Sequence, residues 1–291
     1  MRSVIKLVVC DLDNTLYDWV TFFSRAFYAM VDIAVPILGV DKDQILDELQ
    51  AIHKHYHNSE QPFALLEIPS TKQRFPALAP EQMCAELDSA FHKFNSVRNS
   101  TLRPYPGVHR FLSIIAERGT RIVGHTEATV LNAEFRLKKL NLISFFEKIY
   151  AIEHQGPEHP RINYYKQSQN PSNCDIRILR LHQRKPDKQI LLNICADAGV
   201  RPAEALYVGD SITRDIGMAN AAGVHSAWAK YGTLFDTHDW DNLVRISHWC
   251  EEDITRNNLA RRMYGSSKPE VVLEKRIDEL LDFFDFVKCG L

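Results

Sequence analysis

The amino-acid sequence predicts an α/β protein built on a doubly wound parallel sheet with a helical insertion, and three observations carry that expectation. Ile5 to Cys10 is a short valine-rich run without polar alternation, as in a strand buried on both faces, and it stops at Asp11. From Gly107 onward, amphipathic helical patterns alternate with further short apolar runs, the pattern of parallel strands joined by helical crossovers. Between these regions, roughly residues 21 to 100, the pattern is helical and no convincing strand occurs.

The elements follow in order. DKDQILDELQAIHKHYH reads as a helix capped by Asp41, and APEQMCAELDSAFHKF as one opened by a proline-flanked turn. After Pro104 and Pro106, GVHRFLSIIAERG is a helix ending at Gly119, and RIVGHT is a strand. Residues 127 to 149 look helical. HQGPEHPRINYYKQSQNPSNC, within an insertion around 154 to 182, reads as a long loop or hairpin. KPDKQILLNICADAGV is a helix with Pro186 at its start, ALYVGD a strand, DIGMANAAGV a small-residue helix and HSAWA a strand. From about Asp236 two more helices are expected, the last being EVVLEKRIDELLDFFDFV. The expected division is therefore a core of residues 1–18 with 104–235, a helical insertion over 19–103 and a helical extension over 236–291. No internal repeat is evident.

At 291 residues, 45% hydrophobic and 25% charged, the chain can bury a sizeable core. Thirty-five basic and 37 acidic residues give a net charge of -2, which argues against a nucleic-acid polymer as partner. No uninterrupted apolar stretch approaches the roughly 18 residues of a membrane span, and MRSVIKLVVCDLDN turns acidic before a signal-peptide core could complete, so a cytoplasmic protein without membrane attachment is expected. Six scattered cysteines (Cys10, Cys84, Cys174, Cys195, Cys250, Cys289) suit reduced thiols better than a disulfide framework or zinc site.

In open α/β sheets ligands bind beyond the carboxyl ends of the strands, which directs attention to Asp11, Thr126 and Asp210. Asp11 and Asp13 put two carboxylates two residues apart at a strand end. At about 4 Å such a pair repels by about 4 kcal/mol at an effective dielectric of 20, so it asks for a cation or a shared proton. Magnesium, which prefers oxygen ligands, would answer that need; a polar turn capped by Asp11, Asp13 and Asn14 is the plainer reading. In ALYVGDSITRDIGMANAAG, Gly209 permits a tight turn while Asp210 and Asp215 stand at the start of the next helix, where helix capping by Asp210 or Ser211 is the alternative. Thr126 offers a hydroxyl suited to a phosphate oxygen, and Lys185, beside Pro186, a cation near the same sheet edge. Tyr17, Trp19, Phe22 and Phe23 supply rings that either stack on a base or pack among the inserted helices.

The order DLDNT, a strand-end threonine, a lysine before a proline and GDSITRD closely resembles the four-motif signature of the haloacid dehalogenase superfamily, over roughly Lys6 to Trp228. The resemblance implies a Rossmann-like sheet with an inserted helical cap that closes over the site and selects substrate. It implies Asp11 as a nucleophile forming an aspartyl phosphate and Asp13 as general acid and base. Magnesium would be held by the Asp11 carboxylate, the Asp13 backbone carbonyl and Asp210, with Asp215 as a ligand or support. Thr126 and Lys185 would bind the phosphoryl group, and Glu127, next to Thr126, falls among the substrate- and phosphate-binding positions. Glu127 stands in the second motif where similar sequences often have asparagine; a carboxylate there opposes a dianionic substrate unless it points away or is paired.

The dehalogenase branch lacks the acid and base at position 13, so the resemblance favours a phosphatase acting on a small phosphorylated substrate. DNTLY with a helical cap is similar to the pyrimidine 5'-nucleotidase-like and phosphoglycolate phosphatase-like branches. A phosphomutase and a non-catalytic binding protein on the same fold are the alternatives, and a homo-oligomer is left open.

Overall fold

The computed structural model describes residues 4–154, 156, 174–249 and 251–288. Most of the 154–182 insertion, as well as Cys250 and Cys289, lies outside the described residues; Cys10, Cys84, Cys174 and Cys195 carry free thiols.

Seven parallel strands form one sheet in the order β4-β3-β2-β1-β5-β6-β7. They are β1 Leu7–Cys10, β2 Arg121–Thr129, β3 Lys148–Ile152, β4 Asp175–Leu179, β5 Ala205–Gly209, β6 His225–Ala229 and β7 Val271–Leu273. The helices are α1 Trp19–Leu38, α2 Lys42–Tyr56, α3 Pro69–Arg74, α4 Pro80–Glu86, α5 Asp88–Thr101, α6 Val108–Glu117, α7 Val130–Lys139, α8 Lys188–Asp197, α9 Gly217–Ala222, α10 Thr237–Ile246, α11 Glu251–Tyr264 and α12 Leu280–Lys288.

The central strand is apolar throughout because it faces two cores. Val8 and Cys10 join one cluster with Leu206 and Val208; Leu7 and Val9 join a second with Ala205 and Tyr207 on the opposite face. A side-chain period of two divides each strand between helical layers on both sides.

Several elements differ from the expectation; APEQMCAELDSAFHKF, read as one helix, is α4 and α5, which divide at Leu87. The stretch read as helical from 127 to 149 is the end of β2, then α7, then the start of β3, because apolar residues at Leu137, Leu140 and Leu142 carry a helical rhythm into the strand. β4 lies in the described end of the insertion; as an edge strand it buries only Leu179, so it shows no apolar run. The tail contributes three helices and β7, a three-residue edge strand too short to interrupt a helical pattern. Lys188 rather than Pro186 begins α8, capped by Asp187 through Gln189 N–H, 2.9 Å. Asp41 stands at the N-cap of α2, but its side chain makes no capping bond.

Helix α1, 20 residues long, is long and apolar enough by length and composition to cross a membrane, although Arg25 and Asp32 interrupt it. Ten of its residues are buried inside the protein, and it packs on α5 and α10. Arg25 pairs with Asp239 of α10 at 2.8 Å.

His53 of α2 ties the inserted helices to the C-terminal region: its Nδ1 lies 2.7 Å from the Ile246 carbonyl, and the side chain is fully buried. Burial lowers its pKa from 6.5 to about 4. The unfolded chain therefore binds a proton in a pH range where the folded chain does not, and the stability His53 contributes is complete above pH 6.5 and lost as pH falls toward 4. The full shift corresponds to on the order of 3 kcal/mol. In His53→Asn, which keeps a donor toward Ile246 but cannot titrate, the stability difference between pH 7.5 and 4.5 is expected to shrink. Denaturant unfolding of both proteins at the two pH values measures it; equal differences would remove His53 from the account.

Candidate active site

The chain runs outward from β1 to β2, β3 and β4, then returns to the other side of β1 with β5, so the strand order reverses between β1 and β5. At such a reversal the two following loops diverge and leave a crevice beyond the carboxyl ends of the strands. Asp11 follows β1 directly and Asp210 follows β5, and the paired register of Cys10 with Val208 places these two loops side by side.

Carboxylate oxygens of Asp11, Asp210 and Asp215 lie within 4.8 Å of one another. Lys185, 3% exposed, reaches between them with Nζ 2.5 Å from Asp11 Oδ1 and 2.8 Å from Asp215 Oδ1. Burial works against the charge on Lys185, but Asp11 and Asp215 outweigh it and hold its pKa well above the usual lysine value. Burial, with repulsion from Asp215, pushes Asp11 up to about 7 against the opposing pull of Lys185. Burial and the charges of Asp11 and Asp215 push Asp210 well up. One lysine leaves this carboxylate group under-neutralised, and its all-oxygen donor set suits a hard divalent cation.

Local structure explains the crowding. Asp215 lies in a single wide helical turn, Ile212–Ile216, and its Oδ2 accepts the Ser211 N–H at 2.9 Å. A Cβ at Gly209 would sit 2.4 Å from Asp215 Cγ, so no larger residue fits there. Asn14 has φ 57°, a left-handed conformation that asparagine tolerates, and its Oδ1 accepts the Trp19 N–H at 3.1 Å at the start of α1. The polar-turn reading of DLDN thus describes Asn14, while Asp11 and Asp13 have other partners.

Asp13 belongs to a second charged group that the sequence did not disclose. Arg136 of α7, also 3% exposed, donates to Asp13 Oδ1 at 2.7 Å and to Glu60; Glu60 in turn accepts from Asn132 and from Trp19 Nε1. Burial pushes the Asp13 carboxyl up, opposed first by Arg136.

The second motif falls where β2 ceases to pair regularly with β3, between His125 and Thr129. Thr126 is buried, and its Oγ1 accepts the Ala128 N–H at 3.0 Å, so the hydroxyl hydrogen remains as a donor. Glu127 is paired: Arg214 Nη1 lies 3.0 Å from Glu127 Oε2. Despite burial, Glu127 and then Asp210 hold the Arg214 pKa above its ordinary value. The carboxylate that departs from the asparagine of similar sequences therefore has its counter-ion in GDSITRD.

All seven residues singled out in the sequence, Asp11, Asp13, Thr126, Glu127, Lys185, Asp210 and Asp215, line one cavity of about 610 Å³. Of the four aromatics considered for stacking, Trp19 lines it, whereas Tyr17, Phe22 and Phe23 are buried in the core with the inserted helices.

A parallel α/β sheet with charged residues converging in a crevice at the reversal point has the architecture of an enzyme active site. The chain belongs to the haloacid dehalogenase-like hydrolase family, whose sequence model matches residues 5–223. Among curated relatives, it is 26% identical over 238 residues to glyceraldehyde 3-phosphate phosphatase of Methanopyrus kandleri, covering 80% of this chain and 87% of that one. It is 26% identical over 250 residues to N-acetylmuramic acid 6-phosphate phosphatase of Pseudomonas aeruginosa, covering 85% and 89%. The crystal structure of a 2-haloacid dehalogenase from Pseudomonas syringae superposes with TM-score 0.56 at 19% identity, covering 97% and 99%, and shares the fold.

Proposed function

We propose that this protein is a magnesium-dependent phosphatase that hydrolyses a small phosphate monoester through an aspartyl-phosphate intermediate. The observation that carries the proposal is the convergence of Asp11, Asp210 and Asp215 around Lys185 at the strand reversal, with Asp13 beside them. The relatives named as phosphatases support the reaction class.

In this reading a carboxylate oxygen of Asp11 attacks phosphorus, the bond to the leaving oxygen breaks, and Asp13 gives that oxygen a proton. Asp13 then takes a proton from water as it attacks the aspartyl phosphate, which restores the Asp11 carboxylate and releases inorganic phosphate. Thr126 and Lys185 bind the transferring phosphoryl oxygens, and Lys185 also offsets the charge of Asp11. Magnesium would be held by the carboxylates of Asp11 and Asp210 and the Asp13 backbone carbonyl. Asp215 belongs to the same carboxylate group and would serve as a further ligand or hold the set in place through Lys185 and the Ser211 N–H. The ion would supply charge neutralisation among the carboxylates and at the phosphate. Residues 19–103 serve as the cap over the site.

The test is release of inorganic phosphate from p-nitrophenyl phosphate and a panel of small monoesters. Chelation is expected to abolish release and added magnesium to restore it. Activity indifferent to chelation would remove Asp210 from its role, and an isomeric product without phosphate release would indicate a mutase.

A further inference from the structure

The family match ends at residue 223, yet the cavity does not. Phe235, Trp240, His248 and Trp249 form part of its wall and come from the segment around and after α10. The rings form a connected series: Phe235 stacks on Trp240 with centroids 4.7 Å apart and planes 18° apart, and Trp240 meets Trp249 at 5.7 Å. Trp249 is 36% exposed rather than packed into the core. The segment is fixed against the inserted helices, since Ser59 Oγ lies 2.8 Å from His248 Nδ1 and accepts the His248 N–H at 2.9 Å. One cavity is thus lined both by Asp11 and Lys185 and by these aromatic rings.

Trp240 is packed against the core between Phe235 and Trp249, whereas Trp249 keeps part of its indole accessible at the cavity wall, and a flat or cyclic group gains most from covering such a face. We infer that the C-terminal segment supplies the specificity surface of this site, with Trp249, backed by Trp240, stacking on a ring in the leaving group of the phosphate monoester. This rests on the phosphatase reading and narrows its substrate class to ring-bearing monoesters. Two sources share that chemistry, a nucleobase and a pyranose.

The experiment compares kcat/KM for a nucleoside 5'-monophosphate series, a hexose 6-phosphate and two acyclic monoesters, glyceraldehyde 3-phosphate and phosphoglycolate, in wild type, Trp249→Ala and Trp249→Phe. The ratio of ring-bearing to acyclic kcat/KM is expected to fall on the order of tenfold or more in Trp249→Ala and to recover substantially in Trp249→Phe. The partial exposure of Trp249 makes both variants compatible with folding, which thermal melts verify. An equal loss for all substrates, or no loss, would overturn the inference. A fall for nucleotides alone would identify a base, and a fall for the hexose phosphate alone a sugar. If no substrate or aryl phosphate is turned over, the phosphatase reading fails by itself. Stacking is then decided by calorimetric binding of the same nucleotides and hexose phosphate, weakened by Trp249→Ala if the inference holds and unchanged if it does not.

Discussion

Asp11→Asn is expected to lose phosphatase activity by about 10⁴-fold or more, the scale that follows removal of a covalent nucleophile, while remaining folded. The substitution keeps the shape of the side chain but removes the charge that, in the proposed mechanism, attacks phosphorus. Stability should survive because Lys185 retains Asp215 at 2.8 Å and is not left as an unpaired buried charge. Repulsion of Asp11 by Asp215, and of Asp210 by Asp11, disappears at the same time, which offsets the lost ion pair. Thermal melts with phosphate-release assays separate the two outcomes. Near wild-type turnover by a folded variant would end the covalent mechanism; an unfolded variant would show that Lys185 needs both carboxylates.

The parts of the fold legible in the sequence are those where a local pattern has one structural meaning. Ile5 to Cys10 and ALYVGD are central strands, apolar on both faces, and nothing else accounts for so short a run ending in an acid. Edge strands have no such signature: β4 alternates Asp175, Arg177 and Leu179 with one buried residue, and β7 is three residues inside a helical rhythm. The strand order, which makes neighbours of Asp11 and Asp210, emerges only from pairing across nearly 200 residues. The same division holds in the site. Asp11, Asp13, Asp210 and Asp215 stand out because like charges gather at strand ends, but Glu127 could not be interpreted until Arg214, 87 residues later, was seen beside it. Arg136 and Glu60 sit in ordinary helical and loop sequence. The only trace of Arg136 is a basic residue in the last turn of α7, where a solvated, dipole-matched side chain is the common outcome. Phe235, Trp240 and Trp249 carry no motif and become a surface only through the folding of α10 against the inserted helices.

That hidden arginine leads to the second large effect. Arg136→Met is expected to lower stability by about 3–5 kcal/mol, because it strands two acids that a buried guanidinium now neutralises. Methionine fills much of the stem volume, so the loss reflects charge more than packing. Glu60 keeps Asn132 and Trp19 as donors, whereas Asp13 loses the cation that most strongly opposes the upward push of burial on its carboxyl. Its orientation is lost with the 2.7 Å contact. If Asp13 is the acid and base, turnover of an alkyl phosphate should fall by about 10²–10⁴-fold. The p-nitrophenyl ester should fall less, because its leaving oxygen is stable without a proton. Urea unfolding measures the first effect, and kcat for the two esters at saturating magnesium measures the second. Should Arg136→Met not fold, Glu60→Gln keeps Arg136 on Asp13 and is expected to move both quantities in the same direction by a smaller amount. Equal losses for alkyl and aryl esters would make Arg136 a structural ion pair only. A larger loss for the alkyl ester would mean that α7 holds the proton donor in place across the boundary between sheet and inserted helices.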